Sequence, residues 1–278
     1  MSSVSFDHST NSEFIDIDAI KSEISNIFNA SNFKPLLIGL TGSIATGKTT
    51  VAEMFIKYSQ ELQNASNKRY VENTLNKKYI ENTPNKNAQN RDHIVEIIDF
   101  DLLSRKAVEP RTKGLANIVA HFGSEILDKN GFLDRKKLSK IVFKDREKRR
   151  ELERLIHPAI FALFYQQIKH IVYENEKANY KDAKKQDSKI IIIAVIPLLI
   201  EMNLQTLFHK LVVVYTSYDV QLQRLMKREN IDNKSAENMV KSQISIDDKI
   251  KYADFLINNS NNLEDTFEQV KDVWKRLL

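Results

Sequence analysis

Gly42-Ser43-Ile44-Ala45-Thr46-Gly47-Lys48-Thr49 is the stretch that decides the fold. It fits the pattern G-x-x-x-x-G-K-[ST]. With only six glycines in 278 residues, a chance match has a probability on the order of 10⁻³ per chain. The flanks agree with it. Leu36-Leu37-Ile38-Gly39-Leu40 reads as a short buried strand. Thr49–Tyr58 reads as a helix with Val51, Met54, Phe55 and Tyr58 on one face. A strand, a glycine-bracketed turn and a helix start together make an anion cradle, because inward-pointing backbone N–H groups add to the positive end of the helix. Lys48 would reach the β- and γ-phosphates and the Thr49 hydroxyl would ligate Mg²⁺. Gly42, Ser43, Ile44, Ala45, Thr46, Gly47 and Thr50 would complete the loop around a nucleoside triphosphate.

Outward from the loop, strands alternate with helices. Ile94–Asp99 is a second strand, and residues 101–173 are mainly helical. Ile190–Ile196 is a β-branched run of the kind found in a strand buried on both faces. Leu211–Tyr215 and Phe255–Ile257 are two more strands, and Leu263–Leu278 is a closing helix. This order predicts an α/β fold with a mainly parallel five-stranded sheet. Residues 1–34 form a polar extension, expected to be flexible, with room for one short helix at Ile17, Ile20, Ile24 and Ile27. Residues 60–92 are rich in Asn and Lys and hold a near-duplication of nine residues, 68–76 and 77–85. They read as a mobile insertion, and Glu174–Lys189 as a second surface connection.

Composition narrows the function. Hydrophobic residues are 42% and charged residues 28%, as in an ordinary globular chain. There is no cysteine, which excludes disulfides, thiolate zinc sites and cysteine nucleophiles. The net charge of +5 suits an anionic small molecule, with nucleic acid as the alternative. The longest apolar run, Ile190–Ile200, is broken by Pro197 and is too short to cross a bilayer. The first 34 residues carry Asp7, Glu13, Asp16, Asp18 and Glu23 and no arginine, unlike a secretory signal or a mitochondrial presequence. The expectation is a cytoplasmic protein, with mitochondrial association as the alternative.

Further residues carry candidate chemistry. Asp99 and Asp101 follow the second strand, at i and i+2 on an extended segment, where they would share a face. One could take a proton from an attacking hydroxyl while the other holds Mg²⁺. Asp101 could instead cap the helix that follows. Arg105, one turn on, could clamp a substrate phosphate or face solvent. His157, before Pro158, could bind substrate or sit in the core. Arg224 and Arg228, at i and i+4 on one helix, could close over a triphosphate or be ordinary surface residues.

In colinear order, these segments resemble the dephospho-coenzyme A kinase family. The likeness begins at Ile38–Ala52 and resumes at Ile98-Asp99-Phe100-Asp101-Leu102-Leu103-Ser104-Arg105 and Val108-Glu109-Pro110. It continues through Gly131–Leu138, Ile141-Val142-Phe143, His157-Pro158-Ala159-Ile160 and Pro197-Leu198-Leu199-Ile200-Glu201. It ends with Gln221–Arg228 and with Gln243 through Asn259. The loop is generic to many nucleotide-binding proteins, and the segments after it are the specific part. Three positions depart from the family pattern: Ser43 and Arg111 stand where glycine is usual, and Phe100 where a small residue is usual.

The resemblance implies a kinase domain over residues 35–278, with a helical substrate-binding region near 110–175 and lid helices near 217–253. It implies transfer of the ATP γ-phosphate to the ribose 3′-hydroxyl of dephospho-coenzyme A, the last step of coenzyme A biosynthesis. In it Asp101 is the catalytic base, Lys48 and the loop hold ATP, and Arg224 and Arg228 belong to the lid. Asp99, Arg105, His157, Glu201 and Gln243 bind substrate, and Thr49 and Asp99 serve Mg²⁺. No nucleic acid partner and no membrane span are expected, and the oligomeric state is open. Another nucleoside or metabolite kinase would differ in its acceptor. A GTPase switch would need D-x-x-G and N-K-x-D; Asp128-Lys129-Asn130-Gly131 fits the first, but it lies in a polar turn, and the second is missing.

Overall fold

The computed structural model describes residues 16–31, 35–75, 93–143, 145–179 and 189–278. They form two compact units, Asp101–Gln166 with the chain up to Glu23, and Ile24–Phe100 with Gln167–Leu278. The second unit holds a five-stranded, wholly parallel sheet of β1 (Leu36–Thr41), β2 (Ile94–Asp99), β3 (Ile190–Val195), β4 (Lys210–Tyr215) and β5 (Phe255–Asn258), in the order β2-β3-β1-β4-β5. Every residue of β3 is buried, as its unbroken Ile run requires. β1 lies between β3 and β4, with Ile38 level with Ile193 on one side and Lys210 on the other. The chain changes direction across the sheet at β1. Ligands bind parallel sheets beyond the C-terminal strand ends at such a switch point, and the phosphate loop leaves β1 there.

The helix after the loop, α2 (Lys48–Leu75), and the last helix, α10 (Leu263–Leu277), pack against the sheet. Val51, Phe55, Val270, Val273 and Trp274 bury against Ile38, Leu40, Ile191 and Ile193. Each side chain fully buried there contributes about 1.5–3 kcal/mol. The strands begin and end within one residue of expectation. α2 does not stop at Tyr58: it runs to Leu75, so residues 60–75 of the expected insertion are helical. The second repeat copy, 77–85, lies outside the described residues. The short helix allowed by the isoleucine spacing is α1 (Ile17–Ala30). Its Ile24 is buried and its Phe28 stacks on His209 at 5.8 Å, so this part of the polar extension is anchored.

The first unit holds α3 (Phe100–Lys106), α4 (Lys113–Phe122), α5 (Arg135–Phe143) and the first part of α6 (Arg146–Asn179). Val108, Ile118, Ile126 and Leu138 form its centre. Thr112 caps α4 by accepting from the Leu115 N–H at 3.2 Å. Asp128-Lys129-Asn130-Gly131 is a turn, in which Asp128 Oδ1 accepts from the N–H groups of Asn130 and Phe132 at 2.8 and 2.9 Å. Its carboxylate organises backbone, which accounts for the D-x-x-G fit. The second unit completes itself with α7 (Tyr218–Glu229), α8 (Asn233–Lys241) and α9 (Ile246–Ile250). Among the described residues, no helix is long and apolar enough to cross a membrane.

Candidate active site

The loop is built on two glycines. Gly47 has φ +90°, and a Cβ there would meet the Asn259 side-chain nitrogen; one on Gly42 would meet the Val214 carbonyl oxygen. Ala45 holds a left-handed φ of 60° without being glycine, a conformation that costs roughly 1–2 kcal/mol. Ser43 needs no positive φ. It is buried, and its carbonyl accepts from the Thr46 hydroxyl at 2.9 Å and from Lys48 Nζ at 3.0 Å. Lys48 Nζ also donates to the Gly42 carbonyl at 3.1 Å, keeping its ammonium over the loop. The serine that departs from the family pattern is therefore accommodated, and Phe100 is likewise buried in the fold.

Three side-chain amides frame this backbone. Gln243 Oε1 accepts from the Ile44 N–H and Gln221 Nε2 donates to the Ile44 carbonyl, both at 2.8 Å. Asn259 Nδ2 donates to the Thr46 carbonyl at 2.8 Å, and the Thr266 hydroxyl holds Asn259 Oδ1 at 3.0 Å. Backbone that would otherwise be free to collapse is thereby pinned in one shape from α7, from the turn after α8 and from the end of β5. On α7, Arg224 Nη1 is buried without a hydrogen-bond partner. Such a donor costs about 1–3 kcal/mol unless an acceptor meets it, and an anionic phosphate oxygen suits it chemically. Arg224 and Arg228, expected to act together, are engaged differently: Arg228 is exposed and its Nε is paired with Glu229 at 2.8 Å.

The two aspartates also depart from expectation. Asp99 is the last residue of β2, but the helix begins at Phe100, so Asp101 sits in the first turn of α3. The period-two argument for a shared face fails because the chain is not extended between them. The capping alternative for Asp101 fails too, since it lies inside the helix. Asp101 and Arg105 are exposed and one helical turn apart. His157 is half-buried on α6, and burial pushes its pKa below the ordinary histidine range. Thr49 is exposed in the first turn of α2.

Glu201 and Gln243, expected to bind substrate, each hydrogen-bond within the protein. Glu201 Oε1 meets Lys249 Nζ at 2.8 Å and accepts from the Ile244 N–H at 3.2 Å, while its Oε2 is buried without a partner. Gln243 supports the loop instead of reaching outward. Gln221, Asn259, Thr266 and Lys249 were given no role by sequence reasoning. Buried polar residues of this kind leave no periodic signal, and Lys249 stands in the run Asp247-Asp248-Lys249-Ile250-Lys251, which reads as solvated surface.

A family model described as dephospho-CoA kinase matches residues 87–265. The chain belongs to the dephospho-CoA kinase family. The match starts beyond the phosphate loop, so it rests on the specific later segments and not on the generic motif. The dephospho-CoA kinase of Listeria monocytogenes serovar 1/2a is 37% identical over 233 residues, covering 84% of this chain and 92% of its own. That of Fusobacterium nucleatum is 34% identical over 236 residues, covering 85% and 95%. The solved dephospho-CoA kinase from Campylobacter jejuni superposes with a TM-score of 0.50 at 25% identity, covering 87% of this chain and 96% of that one. A Thermus thermophilus structure, at 22% identity, shares the fold with a TM-score of 0.59 over 88% and 98% of the two chains. As a dephospho-CoA kinase family member the chain is a kinase.

Proposed function

We propose that this kinase transfers the γ-phosphoryl group of ATP to the ribose 3′-hydroxyl of dephospho-coenzyme A, giving coenzyme A and ADP. The observation that carries this is the phosphate loop held by Gln221, Gln243 and Asn259, with Lys48 over its mouth, in a chain of this family. Phosphoryl transfer asks a protein mainly for positioning and charge neutralisation. The loop N–H groups and Lys48 hold the phosphates, and the buried Arg224 Nη1 offers a donor for charge on the transferring group. Asp101 takes the proton of the attacking hydroxyl as the new P–O bond forms and the bond to ADP breaks. Arg105 and His157 are the residues assigned to the acceptor. The donor set fits Mg²⁺, since Thr49 supplies a hydroxyl at the helix start and Asp99 a carboxylate at the end of β2. Mg²⁺ would neutralise phosphate charge when bound. A cytoplasmic location accords with the bacterial relatives.

The test is coupled ADP release with Mg·ATP and dephospho-coenzyme A, against adenosine, AMP and pantothenate. Turnover is expected with dephospho-coenzyme A alone. Equal turnover with a control acceptor, or none with dephospho-coenzyme A, would defeat the assignment.

A further inference from the structure

Lys249, on α9, is fully buried. An ammonium out of water is strongly unfavourable unless it is both paired and hydrogen-bonded. Its Nζ meets Glu201 Oε1 at 2.8 Å and donates to the Pro197 carbonyl at 3.2 Å. Each partner leads to the phosphate loop. The Pro197 carbonyl also accepts from the hydroxyl of Thr41, the residue before Gly42, at 3.4 Å. Glu201 Oε1 also accepts from the Ile244 N–H at 3.2 Å, and the neighbouring Gln243 accepts from the Ile44 N–H inside the loop at 2.8 Å. One buried cation is thus connected to the loop at its entry and at its crown. Hydrogen bonds linked in this way at low dielectric reinforce one another.

We propose that Lys249 is a positioning residue for nucleotide binding. Its ion pair with Glu201 holds the Gln243-Ile244 turn so that Gln243 fixes the Ile44 peptide, and with it the shape of the loop. This deepens the ATP-binding reading above and rests on it. A pair that served stability alone would behave differently: its loss would lower the melting temperature, leave the nucleotide affinity of the folded protein unchanged, and act independently of Gln243.

The test is a direct titration of the full chain with Mg·ATP in the absence of acceptor, so the readout does not depend on the acceptor's identity. Lys249→Met and Gln243→Ala should each weaken ATP binding roughly tenfold, and the double variant should weaken it little more than either alone, as expected of residues in one network. In turnover, KM for ATP should rise by a similar factor while kcat and KM for the acceptor stay within about twofold. An unchanged ATP affinity in Lys249→Met, or a double variant whose loss is the product of the two single losses, overturns the inference. Should Lys249→Met fail to fold, Glu201→Gln combined with Lys249→Met removes both charges and leaves no unpaired ion. That pair must show the same weakening and the same non-additivity with Gln243→Ala, and unchanged affinity in it overturns the inference equally. A wild-type chain that does not bind Mg·ATP defeats the nucleotide reading and this inference together. Wild-type binding with unaltered variants defeats this inference alone.

Discussion

Asn259 offers the sharpest separation between shape and chemistry at the loop. It is buried, its Nδ2 donates to the Thr46 carbonyl at 2.8 Å, and its Oδ1 accepts from Thr266 at 3.0 Å. In Asn259→Ala the Thr46 carbonyl loses its partner, whereas the Thr266 hydroxyl keeps its bond to the Asn262 carbonyl at 3.1 Å. One orphaned acceptor and one lost neutral bond amount to about 2–3 kcal/mol. At roughly 2–4 °C per kcal/mol for a chain of this size, the melting temperature should fall by about 4–12 °C. Asn259→Asp preserves the shape almost perfectly, yet it should be worse. It places a carboxylate oxygen where the amide nitrogen was, facing the Thr46 carbonyl at hydrogen-bond distance, and adds negative charge beside a loop meant for a triphosphate. A further loss of about 1–3 kcal/mol is expected for a buried charged group left unpaired. Mg·ATP affinity should also fall below that of the alanine variant. Protonating the introduced carboxyl restores a donor to Thr46, so the gap between the two variants should narrow at mildly acidic pH. Thermal melting and Mg·ATP titration at neutral and mildly acidic pH measure all of this. An aspartate variant as stable and as tight-binding as the alanine variant at neutral pH would refute the claim that the amide N–H, and not its volume, holds the loop.

Five further variants have outcomes set by the structure. Gly47→Ala should abolish measurable Mg·ATP binding, because the new Cβ meets the Asn259 side chain at a φ of +90°; near-normal binding by titration would show that the loop can yield. Lys48→Ala should lower kcat/KM by about 10²–10³-fold, and Asp101→Asn should lower kcat by about 10²–10⁴-fold with ATP binding kept; a nearly normal kcat removes Asp101 from the base role. Arg111→Gly should raise stability by about 0.5–1 kcal/mol, since Arg111 holds a φ of 71° and relief of that strain exceeds the glycine entropy cost; an unchanged or lower urea midpoint contradicts it. Burial pushes the His209 pKa below the ordinary histidine range, and its Nδ1 accepts from the Leu37 N–H at 2.9 Å, which only the neutral ring can do. Its contribution is therefore full above about pH 6.5 and is lost as pH falls through the lower folded value, so His209→Asn should flatten the acid side of the urea-midpoint profile.

What the sequence made legible follows from what leaves a pattern. A strand buried on both faces must be apolar throughout, so Ile190–Val195 announced itself, and so did the loop whose two glycines are sterically enforced. Arg111 is instructive here. The family pattern marked it as a position for glycine, and its left-handed backbone supplies the physical reason. The end of α2 was not legible, because an Asn/Lys-rich helix and a polar loop share one composition.

The frame of the site was hidden for a different reason. Gln221, Gln243 and Asn259 act through single side-chain amides on backbone that is distant in sequence, and no spacing rule encodes a contact of that kind. For Glu201 and Gln243 the family positions were recognisable, but the direction of their oxygens, toward Lys249 and toward the Ile44 N–H, was not. That direction carries a consequence for the chemistry. A phosphate loop with few glycines, and with Ala45 held at a left-handed φ of 60°, cannot rely on intrinsic backbone preference to keep its shape. Its shape must come from outside, through the amides and through the buried Lys249–Glu201 pair that steadies one of them. On the proposed reading, the loop motif therefore specifies which groups meet the phosphates, while residues nearly two hundred positions downstream determine whether those groups stand where the phosphates need them.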